Sequence, residues 1–337
     1  MAVLNNRISL STDVYHRKST DLVASKSVAL ENGLESVGLN WASLTNKGYE
    51  ITLLTRNIVS PTFRWSTTIN LAKNINNVDN IEVPDNQTTP SLKGHPVNSL
   101  FAFKTAGLDD QGYVLFQKGD KKVSATEFFG LTDPSGFGLY QSSLTNDQIR
   151  NLYTYVGSKD PKISGGLINN FELGHFSLVV SCSFNLGQWV KTEPFYNIIE
   201  MDRGLNRSTK MSQVWTPDNK SGIYPRMISA TTEDGNRLGD YSVFNTGSVL
   251  ANDVFRDLDI WYKKINYLRF NSIRFGYELP KSIISKVGIS NAKLSVEAQN
   301  AFVIASNYDG YFDPETAGNI YAQPMPKSVT VGLNVTF

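Results

Sequence analysis

One cysteine, Cys182, stands in 337 residues, and that alone removes a disulfide framework and a cysteine-rich zinc site from consideration. Its expected role is a small apolar filler in a strand. Histidine is nearly as scarce. His16, His95 and His175 lie far apart in sequence, so no pair at helical spacing can hold a metal. Charge of one sign is missing too: the formal net charge is +1, which offers no electrostatic footprint for nucleic acid. No apolar run approaches the roughly 18 residues that a membrane-crossing helix needs, so any membrane span here must be made of strands. The sequence contains no Gly-x-Ser-x-Gly, and Gly136-Phe-Gly138 lacks the third glycine of a phosphate cradle. These absences leave no catalytic residue, metal or cofactor to nominate, and the chain is read as a non-enzyme. Asp309, Asp313 and Glu315 match neither a calcium-loop template nor a paired-carboxylate spacing and are expected to lie on a solvated loop. Finally, Met1-Ala-Val-Leu-Asn-Asn-Arg7 has no basic start, apolar core or small-residue cleavage site. The expectation is a trimmed piece of a longer precursor or a partial reading frame.

What the sequence does have is period-two alternation. In the last ten residues Val329, Val331, Leu333, Val335 and Phe337 alternate with Ser328, Thr330, Gly332, Asn334 and Thr336. Successive side chains of a strand point to opposite sides, so this segment has one greasy face and one small, polar face. A lipid-facing barrel wall needs that division, with a wet or plugged lumen behind it. The same alternation starts at Ile8, Phe63, Phe176, Asn271 and Lys293, with weaker versions over 49–58 and 167–173, giving about eight strands. Arg274, Glu278, Lys293 and Glu297 fall on the polar side and are expected to face the lumen, pairing with one another or lining a path. Short links near Ser60-Pro61, Gly174-His175 and 280–291 alternate with long ones near 19–46, 77–164, 189–265 and 305–326. Outer-membrane barrels alternate periplasmic turns and extracellular loops in this way, whereas a sandwich carries turn signals every 8–12 residues or so.

The long links carry their own signals. Thr145-Asn-Asp-Gln148 reads as a capping box opening a short helix to about Tyr155, and Lys281 to Val287, closed by Gly288, reads as a helical turn with a glycine stop. Phe101, Phe103, Tyr113, Phe116, Phe128, Phe129, Phe137, Tyr140, Trp215, Tyr224, Trp261 and Tyr262 crowd these links, and loops this long and aromatic usually bind something. Trp215, Tyr224, Trp261 and Tyr262 are the candidates for stacking on a sugar ring. The competing reading is that they pack loops together or belong to an interfacial girdle.

Tyr267-Leu-Arg-Phe-Asn-Ser-Ile-Arg-Phe-Gly-Tyr-Glu-Leu-Pro280, Gly288-Ile-Ser-Asn291 with Gln299-Asn300, Gly310-Tyr311 with Asp313-Pro-Glu315, and the closing Pro324 to Phe337 together resemble the SusC/RagA family of TonB-dependent outer-membrane transporters. Upstream, Asp13 to Leu22, Asn46-Lys-Gly-Tyr-Glu50, Gly94 to Gly107, Gly157 to Gly166, Trp215-Thr-Pro and Tyr224-Pro-Arg226 resemble further segments of that family in the same order. The resemblance implies that residues 1–337 are the C-terminal sector of an all-β, antiparallel transmembrane barrel, about eight of roughly 22 strands. Signal peptide, N-terminal extension, plug and earlier strands are not seen. It also implies a location in the outer-membrane lipid, reached through an export signal elsewhere in a precursor. The expected function is import of oligosaccharides or peptides with a SusD-like surface lipoprotein, with TonB reached only through the missing plug-bearing portion. Phe337 is expected to be read by the barrel-insertion machinery. A stand-alone small outer-membrane barrel, a truncated remnant, and a soluble carbohydrate-binding β-sandwich are the alternatives.

Overall fold

The computed structural model describes all residues except 1, 29–30, 32, 35, 86, 133–140, 199–205, 229–243, 246, 249–250, 307–312, 317–318 and 320. Met1, Gly136, Phe137, Gly138, Tyr140, Asp309, Gly310 and Tyr311 therefore lie outside the described residues. The eight expected strands are present: β1 (Ile8–Ser27), β2 (Ser36–Val59), β3 (Phe63–Asn80), β4 (Ile163–Leu173), β5 (Phe176–Lys191), β6 (Tyr262–Glu278), β7 (Asn291–Ser306) and β8 (Ser328–Thr336). They form one antiparallel sheet in chain order, to which a two-residue strand, Ala2–Val3, adds an edge beside β1. Among the described residues no helix is long and apolar enough to cross a membrane.

Register carries the sidedness across the whole sheet. Phe302 of β7 pairs Phe270 of β6, which pairs Cys182 of β5, then Leu167 of β4, Ile69 of β3, Leu53 of β2 and Leu10 of β1. Every residue in that seven-strand row is apolar. A lower row runs Val331, Val296, Phe275, Leu178, Phe171, Trp65 and Ile58 from β8 to β2. On the opposite side, Gly332, Ser295, Gly276, Ser177, Glu172 and Arg64 line up from β8 to β3. A one-residue slip anywhere would mix the two faces, so the alternation fixes the register.

Among the described residues no second sheet covers the apolar side. Val331 is 67% exposed, Phe275 47% and Phe302 43%, values far from those of a packed interior. The sandwich alternative required these side chains to press against a second sheet, and the structure overturns it. Short turns join the strands at one end: Ser60 accepts from and donates to Phe63 between β2 and β3, and Gly174, at φ +55°, makes the two-residue turn between β4 and β5. Lys281–Ile284 forms the expected helical turn, and Gly288 closes it at φ +74°.

The opposite end departs from the sequence reading. The link expected over residues 19–46 is mostly strand, because β1 runs on to Ser27 and β2 begins at Ser36. At 24 residues β2 far exceeds the 9–11 or so that cross a bilayer. Where both faces of a ribbon meet water, the apolar alternation that marks a strand in sequence disappears. The other long links fold rather than wander. Residues 99–158, 189–228 and 254–262 supply short strands and helices that share one core, in which Ala102, Phe116, Phe129, Ile198 and Leu258 are fully buried. The capping box is realised: Thr145 Oγ1 accepts from the Gln148 N–H, and Gln148 Oε1 accepts from the Thr145 N–H at 2.8 Å. Its helix, Asn146–Arg150, stops short of Tyr155, which belongs to the strand Tyr153–Ser158 paired with Ser99–Phe103.

Candidate functional site: a two-faced wall and its aromatic cap

The charged residues of the polar face meet through register. Arg274 of β6 lies opposite Glu297 of β7, its Nη2 donating to Oε2 at 2.7 Å, while Ser272 Oγ donates to Oε1 at 2.7 Å. Glu278 lies opposite Lys293, whose stem passes over Gly276: a Cβ there would sit 2.9 Å from Lys293 Cε. Arg64 of β3 and Glu172 of β4 form another cross-strand pair. All these groups are on the side opposite the apolar rows.

A further ion pair was not anticipated. Arg269, 3% exposed at the side chain, is bound by Asp313 and by Glu315, with Nε donating to Glu315 Oε1 at 2.8 Å. The expectation of a solvated carboxylate loop is corrected here, since the Asp313 side chain is only 8% exposed. Burial alone would raise the Asp313 carboxyl's pKa. Hydrogen bonds from Arg269 and from the Glu315 and Met325 backbone, with the Arg269 charge, outweigh it and hold the group below its ordinary range. The signal was present in sequence as Tyr-Leu-Arg-Phe and Asp-Pro-Glu, but nothing in spacing says that the two segments touch. Among the described residues no three His, Cys, Asp or Glu side chains are grouped to hold a metal.

The four aromatic candidates are placed inside the cap. Trp261 is 3% exposed, donates Nε1–H to the Phe255 carbonyl at 2.7 Å and stacks on half-buried Tyr224 at 5.3 Å, nearly parallel. Buried Tyr262 donates its hydroxyl to the Phe101 carbonyl at 2.9 Å. Trp215 covers Gly112, where a Cβ would fall 2.4 Å from its ring, and Arg226 sits 5.4 Å from the same ring. These contacts use the flat faces that a sugar would need, and they hold separate links together. Phe103, Phe116, Phe128 and Phe129 do likewise, stacked or edge-on at 4.7 to 6.2 Å.

The open concavity lies elsewhere, where the polar face meets the cap. A cleft of about 410 Å³ is lined by Asn74 and Asn76 of β3, Tyr155, Asp160, Lys162 and Trp189, among others. Trp189 lies against Gly157, whose Cβ would be 2.1 Å from the ring. Asp160 accepts from Asn76 and Asn98, which ties the start of β4 to β3 and to the cap. Sequence reading missed Trp189 and Tyr155 because both lie in or next to strands.

One continuous apolar face, one polar face bridged by ion pairs, short turns below and a folded cap above are the parts of a barrel wall. Comparison with known proteins agrees. The chain is 26% identical over 368 residues to TonB-dependent receptor P3 of Formosa agariphila, covering all of this chain and 33% of that protein. It is 23% identical over 346 residues to the TonB-dependent receptor SusC of Bacteroides thetaiotaomicron, covering 99% of this chain and 30% of that one. In sequence the chain is similar to TonB-dependent receptors. No protein-family model matches it. A solved structure of the RagAB peptide importer in its closed-closed state superposes at TM-score 0.72 with 21% identity, over the whole of this chain and 34% of the other. A second, of the RagAB peptide transporter, gives 0.71 at 22% identity. The chain thus spans about a third of the length of the relatives it matches. The all-β antiparallel fold is that of the corresponding third of these solved structures.

Proposed function

We propose that residues 1–337 act as the C-terminal wall sector and surface cap of an outer-membrane importer that takes up oligosaccharides or peptides. The observation that carries this reading is the uninterrupted apolar row from Phe302 to Leu10, paired through seven strands and exposed at both of those ends. Hydrocarbon is the medium that such a face fits. The described sheet has edges at Ala2–Val3 and β8, and unpaired backbone groups in lipid cost several kcal/mol each, so the working barrel pairs these edges with further strands.

In this reading the ion-paired polar face lines the lumen around a plug, and TonB acts through that plug-bearing portion. The cap is the platform for a SusD-like lipoprotein. Substrate passes the cleft beside Trp189, Tyr155, Asn74 and Lys162, where an aromatic surface adjoins amide and ammonium donors. The relatives named TonB-dependent receptors and the peptide-importer structures support import; the choice between glycan and peptide rests on that cleft. Phe337, 88% exposed just beyond β8, is the residue offered to the insertion machinery.

The test is intact-mass measurement of the complex extracted from membranes through a tag on this chain. Co-isolation with a plug-bearing polypeptide or segment and a lipoprotein is expected. Recovery of the 337-residue chain alone, as a heat-resistant monomeric barrel, would overturn the proposal.

A further inference from the structure

On the outward side of β1, β2 and β3 the apolar belt gives way to cations. Going up from the short-turn end, Val14 and Tyr49 are its last members on β1 and β2, followed by His16 and Lys47, with Lys18 above His16; on β3 Lys73 follows Leu71, level with Tyr49, and exposed Ile75 above it pairs Lys47. Register places them together: His16 pairs Lys47, Lys73 pairs Tyr49 and Lys18 pairs Thr45. His16, Lys18 and Lys47 are exposed and Lys73 is half-buried. One carboxylate, Asp79, shares this face, and it already accepts from Thr45 Oγ1 at 2.6 Å and Asn77 Nδ2 at 3.0 Å. Three lysines against one carboxylate leave the patch positive.

The lower rim of the same face is different. Phe63, Leu173, Phe176, Tyr277, Leu294 and Leu333 occupy it, and Phe176 packs on Tyr277 at 4.8 Å. The two rims therefore suit different leaflets, with aromatic anchoring below and cations above. A lysine two residues beyond the last apolar side chain sits roughly 7 Å above hydrocarbon, with its stem along the belt and its ammonium at headgroup height.

We propose that Lys18, Lys47 and Lys73, with His16, form a seat for the phosphate-bearing headgroups of outer-leaflet glycolipid. The inference rests on the reading that the apolar face meets lipid. Each ammonium supplies three donors to phosphate oxygens, and anionic lipid attracts each surface lysine strongly enough to change binding about fivefold.

The test titrates the membrane-extracted complex with lipid A and, separately, with phosphatidylcholine, following bound lipid by native mass spectrometry. Lipid A is expected to bind more tightly, with an affinity that falls as salt rises. The triple variant Lys18→Gln, Lys47→Gln, Lys73→Gln should lose at least tenfold in lipid A affinity, and the Lys→Arg triple should retain it. Lys293→Gln, on the other face, should change nothing. Equal lipid A affinity in wild type and the Gln triple would overturn the seat. Insertion into neutral phosphatidylcholine vesicles separates the two readings: insertion without lipid A preference sinks only the seat, and failure to insert sinks the lipid-facing wall as well.

Discussion

Arg269, on the polar face of β6, holds Asp313 of the connection leading into β8, and Glu315 binds the same guanidinium from its other edge. Asp313 also accepts from the Glu315 N–H, so the carboxylate is fixed before the arginine reaches it. The arrangement pins the last surface connection to the wall. Removing one partner strands a buried charge. Arg269→Ala should cost about 3 kcal/mol and expose residues 313–316 to protease while β6 and β7 stay protected. Protection unchanged from wild type would show that the pin is dispensable.

The same pin should respond to acid. The Asp313 carboxyl titrates below its ordinary value of 3.8 in the folded chain, so its contribution is fully present above that value. It is lost as the pH falls through the lowered pKa. Cleavage at residues 313–316 should therefore rise below about pH 4 in wild type, and the acid-induced rise should be absent in Asp313→Asn.

Faces can be told apart by charge. Val331→Arg puts a cation on the apolar side and should cost about 2–4 kcal/mol at mid-bilayer depth, whereas Thr330→Arg, its neighbour on the polar side beside Glu297, should cost far less. Urea unfolding from lipid vesicles measures both. Similar losses at the two sites would contradict the assignment of faces.

Trp261 tests what the aromatics do. If its ring fastens the cap, Trp261→Ala should cost about 3–5 kcal/mol and loosen residues 99–158 toward protease with the strands intact. A variant with a native cap and selectively lost ligand affinity would instead favour a sugar-stacking role.

Gly165 of β4 packs where a Cβ would fall 2.2 Å from the Asn70 carbonyl of β3 and 2.6 Å from the Phe184 ring. Gly165→Val should therefore lower the yield of assembled barrel in membrane fractions. Deleting Phe337 should lower it also, through recognition rather than packing, and normal levels of that deletion would remove the residue from the assembly signal.

The wall was legible in sequence because one apolar side and one polar side impose a strict rule on every second residue, as Val329 to Phe337 show. The rule lapses where both sides are wet, which is why residues 19–27 and 36–46 were read as a link. It lapses again in the cap, where Phe116, Phe129 and Leu258 are buried by neighbours up to about 150 positions away rather than by a periodic face. Aromatic richness marked the links as special there but could not separate a binding surface from a core. The bond between Arg269 and Asp313 was hidden for a related reason, since the two residues stand 44 apart with a whole strand between them.

Thr105 donates both its N–H and its hydroxyl to Asp259, 154 residues away, and Phe103 N–H reaches the Asp257 carbonyl. The segments so joined are separated in the chain by β4 and β5, so closing them directly would tie off a very long loop at high entropic cost. Pairing β4 with β5 and β5 with β6 brings the ends together first and shortens that loop. The cap thus depends on β4, β5 and β6 being paired, and without that pairing Phe103 and Thr105 would lose the partners they find at Asp257 and Asp259.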